Sequence, residues 1–336
     1  MSRTAFVTGA NGFIGLRLVQ GLIKRGYEVV CLVREPAKAK ALASGGVRLV
    51  RGDITSKDSM RAAMRGADAV FHLAGWYAIG ARDTARMHAI NVDGARNTLE
   101  LAAELGVPKI LHTSTVGVFG NTHGMLADES YRAIREEMSS TYELTKWLAH
   151  YEVAEALQNR GAPLIILQPG FATGIGDEGP HMLAFEMFAQ RMPVMLGARS
   201  GLTLAHAEDI AEGHILAFEK GRTGESYILA GEAMTYKQLF ENLEAISGIA
   251  GAKLWLPGWA AGVSSAAMGA LEKLGMQGKF SAEALATMND YTYWATADKA
   301  ERELGWRRRP TDETLKETLE YLRERARPRR AETMMS

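Results

Sequence analysis

One cysteine in 336 residues, Cys31, leaves no possible internal disulfide and no cysteine-built metal site. It falls inside an apolar run, which reads as a buried, inert thiol. Charge of one sign is missing as well. The 39 Lys and Arg balance 39 Asp and Glu, so no net field draws the chain to nucleic acid or to an anionic membrane. The locally basic RERARPRR at Arg323–Arg330 follows an amphipathic pattern that contains acids; it reads as a solvated end, with phosphate binding as the alternative. No apolar run is long enough to span a bilayer. The most apolar late stretch, WAAGVSSAAMGAL at Trp259–Leu271, is short and rich in Ser and Gly, which favours a packed helix. The opening MSRTAFVTG lacks the charged-then-apolar layout of a signal peptide, so a cytoplasmic protein is expected. The eight histidines show no metal-ligand spacing, and no repeat or low-complexity linker interrupts the chain.

What is present is a rhythm. Short β-rich runs at Ala5–Val7, Tyr27–Val33, Val47–Gly52, Asp68–Leu73, Lys109–Thr115 and Pro163–Gly170 alternate with helical patterns. Those patterns cover Ile14–Arg25, Ser56–Arg65, Thr84–Leu105 and Thr141–Asn159, with a short charged helix after Val33. The apolar runs are near-continuous, as expected of parallel strands buried on both faces. Right-handed strand–helix–strand repetition predicts an α/β fold of Rossmann type, a doubly wound parallel sheet. After Gly170 glycine, proline and methionine become denser and the alternation breaks. The expected division is a nucleotide-binding domain over 1–170, its sheet completed by parts of 203–230, and a smaller carboxy-terminal α/β substrate lobe over 171–330. Ligands are expected in the cleft at the carboxyl ends of the strands.

The loop TGANGFIG at Thr8–Gly15 follows a strand and opens a helix. Its glycines, Gly9, Gly12 and Gly15, permit a tight turn and close backbone approach, and the helix start at Ile14 offers amide groups to a pyrophosphate. An ordinary strand–helix turn is the alternative. The second strand ends in Val33–Arg34 with Lys38 and Lys40 following, where a selector of unphosphorylated ribose would place an acid. Arg34 can pair with a 2′-phosphate through its planar fork of donors, which favours the phosphorylated cofactor; Glu35 is adjacent, and a solvated loop charge is the alternative.

TYELTKW places Tyr142 and Lys146 on one helical face, and no other of the ten tyrosines has a lysine at i+4. Carbonyl reduction needs a proton delivered to oxygen as hydride reaches carbon. A neighbouring ammonium brings a phenol toward the working range. By itself, Y-x-x-x-K reads as a surface tyrosine lying over a lysine stem. HTSTVGVFG at His112–Gly120 adds Ser114 and Thr115 at a strand end, where a hydroxyl could hold the carbonyl, or serve only the turn.

With GDI at Gly52–Ile54, HLAG at His72–Gly75, NVDGARNTLE at Asn91–Glu100, QPGFATG at Gln168–Gly174 and HAEDIA at His206–Ala211, these motifs follow one family's order. The sequence resembles the extended short-chain dehydrogenases/reductases of the NAD(P)-dependent epimerase/dehydratase superfamily. It is most similar to the branch holding dihydroflavonol 4-reductase, cinnamoyl-CoA reductase and 3β-hydroxysteroid dehydrogenase-like enzymes, strongly from Thr4 to Ile215 and loosely beyond. The resemblance implies that Gly9, Asn11, Gly12, Phe13, Ile14 and Gly15 cradle the pyrophosphate. Arg34, with Lys38 near, would meet a 2′-phosphate, and Asp53 and Ile54 would bracket the adenine. Leu73, Ala74 and Gly75 would pass behind the ribose, with Thr113 beside the cofactor. Thr115 would orient the carbonyl, Tyr142 would be the acid/base, and Lys146 would bind nicotinamide ribose and lower the tyrosine pKa. Pro169, Gly170, Phe171 and Thr173 would border the nicotinamide, and Asn91 would support the site from its helix. The family's usual arginine before the proline–glycine turn is Gln168 here, and the epimerases' acidic ribose slot is Val33.

The substrate wall is expected from Trp76 and Tyr77, from the His181–Phe188 segment including His181 and Phe185, and from the lobe around Trp255–Trp259. Met182, Met187, Met192 and Met195 among Phe185 and Phe188 suit an adaptable apolar pocket, or simply fill a core. The expected function is an NADPH-dependent reductase of a largely apolar ketone or aldehyde, with NADP(H) preferred and NAD(H) as the other cofactor. The alternatives are an NAD-dependent sugar-nucleotide epimerase/dehydratase, which Arg191 and Arg199 keep open, and a silent dinucleotide-binding sensor. Expected partners are a small-molecule carbonyl substrate and, by resemblance, a second copy in a homodimer through the Tyr142 helix, without nucleic acid or membrane.

Overall fold

Six strands of the first half form where the apolar runs predict them: β1 (Thr4–Thr8), β2 (Glu28–Val33), β3 (Arg48–Arg51), β4 (Ala69–His72), β5 (Ile110–Thr113) and β6 (Leu164–Pro169). The computed structural model describes residues 3–43, 46–274 and 280–326. Beyond β6 come β7 (Phe171–Thr173), β8 (Val194–Met195), β9 (Gly201–His206), β10 (Ser226–Leu229), β11 (Ala233–Thr235) and β12 (Leu254–Trp255). The seven-stranded parallel sheet runs β3-β2-β1-β4-β5-β6-β10. Its order reverses between β1 and β4, which pair from Ala5↔Ala69 to Thr8↔His72, so their carboxyl ends open the crevice of a doubly wound sheet.

Both faces are covered, which is why the strands read as continuous apolar runs. On one face Leu18, Val19 and Leu22 of the first helix (Phe13–Lys24) share a core with Ile210, Ile215 and the strand residues Val7, Cys31 and Phe71. On the other, Met60 and Met64 pack with Leu99, Val153 and Ile166. The long helices of this face each contain a widened π turn, Ala89–Asp93 and Leu148–Glu155, and the two turns meet. Burial raises the Cys31 thiol to about 12, so it is inert at neutral pH.

A smaller lobe follows Gly170. β7 lies parallel to β9, and β11 antiparallel to it. Phe185, Phe188, Phe240 and Leu315 fill the core beside this sheet. The division near residue 170 is crossed twice. The helix Ala207–Lys220 packs on the first helix, β10 completes the large sheet, and Trp306 is buried in the same core. The helix Gly258–Lys273 is packed on one side only. It buries only Gly258 and Ala261, packs beside Ala282–Ala286, and leaves Trp259 70% and Val263 63% exposed. The end of the basic tail, Arg327–Arg330, lies outside the described residues. No helix among the described residues is long and apolar enough to cross a membrane.

Candidate active site

The crevice at the strand ends is a cleft of about 680 Å³. Its first wall is the glycine loop. Gly9 stands at φ +72°, and a Cβ there would lie 2.6 Å from the Ala74 nitrogen, so loop and β4 end touch backbone to backbone. A Cβ on Gly15 would lie 2.1 Å from the Gly9 carbonyl oxygen. Gly12 caps the first helix with no side chain to accept its leading N–H groups, and no acid sits in the first turn. This bare, positive helix start fits a dinucleotide's pyrophosphate, so the residues present suit the group that the fold implies. Asn11, Phe13 and Ile14 line the same wall, and Leu73 and Gly75 face it from the end of β4.

The Tyr142 helix (Thr141–Trp147) starts at Ser140, whose hydroxyl accepts the Glu143 N–H at 3.2 Å. Tyr142, Lys146, Thr113, Ser114 and Thr115 all line the cleft, with Pro169, Gly170 and Phe171 beyond. Burial pushes the Tyr142 phenol above its ordinary pKa, the Thr115 hydroxyl opposes that, and the Glu143 charge adds to it. Lys146 is buried, donates to the Thr113 carbonyl at 2.8 Å, and is lowered by desolvation to about 8. The expectation that Lys146 sets the phenol's pKa is therefore not what dominates here; burial does. Thr115 also accepts the Gly117 N–H at 3.1 Å, which fixes its hydroxyl at the strand end. Asn91 accepts from the Trp76 N–H at 2.7 Å and donates to Thr145 at 3.0 Å, joining the loop after β4 to the Tyr142 helix.

The opposite wall is aromatic. The Tyr77 ring lies 4.6 Å from that of Tyr142 and stacks 6.4 Å from His181, while Phe171 packs edge-on against both His181 and Tyr293. Trp76 and Ile79 line this side too, and His181 bonds Asp177 at 2.8 Å. Phe185, Thr173 and Trp255 fall outside this wall. Phe185 is wholly buried in the lobe core, one turn past His181, and with Met182, Phe188 and Met195 it follows the core reading. Thr173 is fully buried and faces Thr318 at 3.2 Å, away from the cleft. Trp255 packs on Phe240 in the lobe core.

Arg34, Lys38, Asp53 and Ile54 cluster outside the cleft proper, where β2 and β3 end. Lys38 is held by Glu35 at 2.8 Å, and Asp53 accepts from the Thr55 N–H at 2.9 Å. Ile54 is buried against Gly94, and Ala74 packs into the core of the same face. Arg51 pairs in register with Val33 and, with Arg34, lowers the Glu35 carboxyl after Lys38. Sequence reasoning missed Arg51 because it belongs to the next strand. It also missed Tyr293 and Glu143, although the spacing Ser140-x-x-Glu143 is a helix-start signature that marks Glu143. No group of three or more His, Cys, Asp or Glu among the described residues could hold a metal.

A model described as the NAD dependent epimerase/dehydratase family matches residues 5–230. The chain belongs to this family. It is 31% identical over 321 residues to a Synechocystis sp. protein named "Putative dihydroflavonol 4-reductase", covering 91% of this chain and 90% of that one. It is 30% identical over 258 residues to "Sterol demethylase protein B" of Methylococcus capsulatus, covering 76% and 77%. Among solved structures, gox2253 superposes with a TM-score of 0.83 at 30% identity, over 97% of this chain and 99% of that one. DesIV, a dTDP-glucose 4,6-dehydratase of Streptomyces venezuelae solved with NAD and TYD bound, shares the fold at 24% identity, with a TM-score of 0.75 over 96% and 97%. The family, the extended short-chain type and the reductase names among the relatives make this chain an NAD(P)-dependent oxidoreductase.

Proposed function

We propose that the protein is an NADPH-dependent reductase of a largely apolar ketone or aldehyde. One observation carries this reading: Tyr142, Thr115 and Lys146 share a cleft with a bare glycine cradle on one side and an aromatic wall on the other. The nicotinamide, when bound, supplies the hydride to the carbonyl carbon. Thr115 orients the carbonyl oxygen, and the Tyr142 hydroxyl donates the proton that turns it into an alcohol. Burial keeps that phenol protonated, the form a reductase needs at neutral pH. Lys146, one helical turn from Tyr142, would hold the nicotinamide ribose when the cofactor is bound.

The wall argues for an apolar substrate over a sugar nucleotide. The single arginine among the cleft-lining residues, Arg17, already donates to the Phe13 carbonyl at 2.8 Å and the Ile175 carbonyl at 2.6 Å. Arg191 and Arg199 lie outside the cleft, and Arg199 is paired with Asp290 at 2.5 Å. Relatives named as a ketoreductase, a 2-alkyl-3-oxoalkanoate reductase and a cinnamoyl-CoA reductase support the same chemistry. For the cofactor, Arg34 and Arg51 at the ends of adjacent strands offer cations to a 2′-phosphate where Val33 offers no acid.

The test is a panel of aromatic and alicyclic carbonyls assayed with NADPH and with NADH. Tyr142→Phe should lower kcat by roughly 10²–10⁴-fold, and Arg34→Ala should erode the preference for NADPH. Conversion of a UDP-sugar with no net redox change, and no carbonyl reduced, would overturn the proposal.

A further inference from the structure

Glu143, the residue after Tyr142, is 2% exposed yet lines the cleft. One carboxylate oxygen accepts from the Ser139 hydroxyl at 2.8 Å and from the Tyr293 hydroxyl. The other accepts from the Ser139 N–H at 2.9 Å and the Tyr291 hydroxyl at 3.0 Å. A carboxylate offers about four acceptor sites, and these four donors occupy them. Its oxygens are directed at these four partners, so the group serves to hold them. Tyr291 and Tyr293 come from far along the chain, and Tyr293 packs 5.3 Å from Phe171 in the substrate wall.

A second carboxylate makes a matching join from the other side. Glu283 accepts from the Gly80 N–H at 2.7 Å, in the loop that carries Trp76 and Tyr77. It also accepts from the N–H of Thr141 at 3.1 Å and from its hydroxyl at 3.2 Å. Thr141 immediately precedes Tyr142. Both carboxylates thus sit at the first turn of the Tyr142 helix, where the helix dipole favours negative charge. The segment 281–293 is fastened there at both its ends.

We propose that Glu143 and Glu283 are positioning residues that clasp segment 281–293 onto the start of the Tyr142 helix, setting the phenol and the Tyr293 wall in one geometry. The role rests on the reductase reading of the site. Its structural half does not, and the test separates the two. Full-length Glu143→Gln, Glu283→Gln and Tyr293→Phe variants are compared by amide hydrogen exchange. In the two Gln variants, opening of peptides covering 281–293 and 139–147 should quicken by about 10-fold, the scale of losing charge-assisted hydrogen bonds. Peptides of the glycine loop should not change.

In turnover with NADPH and trans-cinnamaldehyde or cyclohexanone, kcat of the Gln variants should fall by roughly 10- to 100-fold, the scale of a misplaced catalytic group. NADPH affinity, read by fluorescence titration, should stay put. The solvent deuterium isotope effect on kcat should rise, because proton delivery becomes the slow step. Tyr293→Phe, which keeps the ring, should show the same direction in milder form. Unchanged exchange in both Gln variants overturns the clasp. Faster exchange with unchanged kcat and isotope effect overturns the positioning role. A wild-type protein that reduces no carbonyl overturns the reductase reading, and exchange alone then judges the clasp.

Discussion

Acidification from pH 7 to pH 5 should remove a large part of this protein's stability, because four histidines are built into the interior as neutral rings. His72, His112, His150 and His214 are each at most 2% exposed. His72 bonds the Thr8 hydroxyl at 2.8 Å, His150 the Ser114 hydroxyl at 2.8 Å, and His214 the Thr113 hydroxyl at 2.9 Å. His112 stacks on His72 with centroids 5.5 Å apart, and neither of its ring nitrogens is hydrogen-bonded. Burial lowers His72 and His150 to about 3 and His214 to about 4, and it holds His112 well below the ordinary value. The Lys146 ammonium adds to the lowering of His72, His112 and His150, after burial and, for His150, after Arg132.

The unfolded chain titrates these rings near 6.5, so as pH falls through that value it binds protons that the folded state refuses. Stability is therefore whole above about pH 6.5 and is lost progressively toward pH 3–4. Between pH 7 and pH 5 each ring contributes a loss of about 2 kcal/mol. The three with values give roughly 6 kcal/mol, and His112 acts in the same direction. Glu143 and Glu129, raised by burial, return a part of this as they protonate first in the fold. Lys146 is charged in both states across this window and contributes nothing to the change. Against a typical total of about 5–15 kcal/mol, the loss is large. Urea unfolding followed by tryptophan fluorescence at pH 7, 6 and 5 measures it. A stability at pH 5 within about 1 kcal/mol of that at pH 7 refutes the reasoning.

Lys146→Met should abolish turnover yet stabilise the fold at pH 7. Its folded pKa near 8 lies below the unfolded value, so burial of the ammonium costs up to about 3 kcal/mol below pH 8, a cost that disappears as pH rises toward 10.5. Thermal unfolding from pH 7 to 10.5 should show the gain shrinking; a variant no more stable than wild type at pH 7 contradicts it. Gly15→Ala drives a Cβ onto the Gly9 carbonyl oxygen at 2.1 Å, which neither backbone can avoid. It should cost about 1–3 kcal/mol of stability and weaken NADPH binding; full affinity by fluorescence titration would show that the cradle is not what holds the dinucleotide.

The elements that sequence reading located correctly share a cause: each is written in neighbours along the chain. The strand runs, the bare helix start at Gly12 and the i, i+4 pair Tyr142–Lys146 depend on periodicity and on residues a turn apart. Thr115 sits on a strand end whose apolar run announces it. The misplacements have the opposite cause. His181 and Phe185 belong to one short segment, yet the first stands before its helix and faces the cleft, while the second turns into the lobe core with Phe188 and Phe240. Thr173 follows the family motif but faces Thr318, nearly 150 residues on.

By itself, then, the sequence determined a doubly wound nucleotide-binding sheet, its glycine cradle and the tyrosine–lysine pair, because local propensity and burial periodicity specify them. Tertiary structure alone decided what surrounds the phenol. The burial that raises it, the Thr113 carbonyl that takes Lys146, and the join of Glu143 to Tyr291 and Tyr293 arise only when segments far apart in the chain are packed together. The same is true of Arg51 beside Arg34, which strand register, and no motif, brings to one edge. A pKa or a cleft wall is a property of everything within reach, and proximity in space is what folding adds to order along the chain.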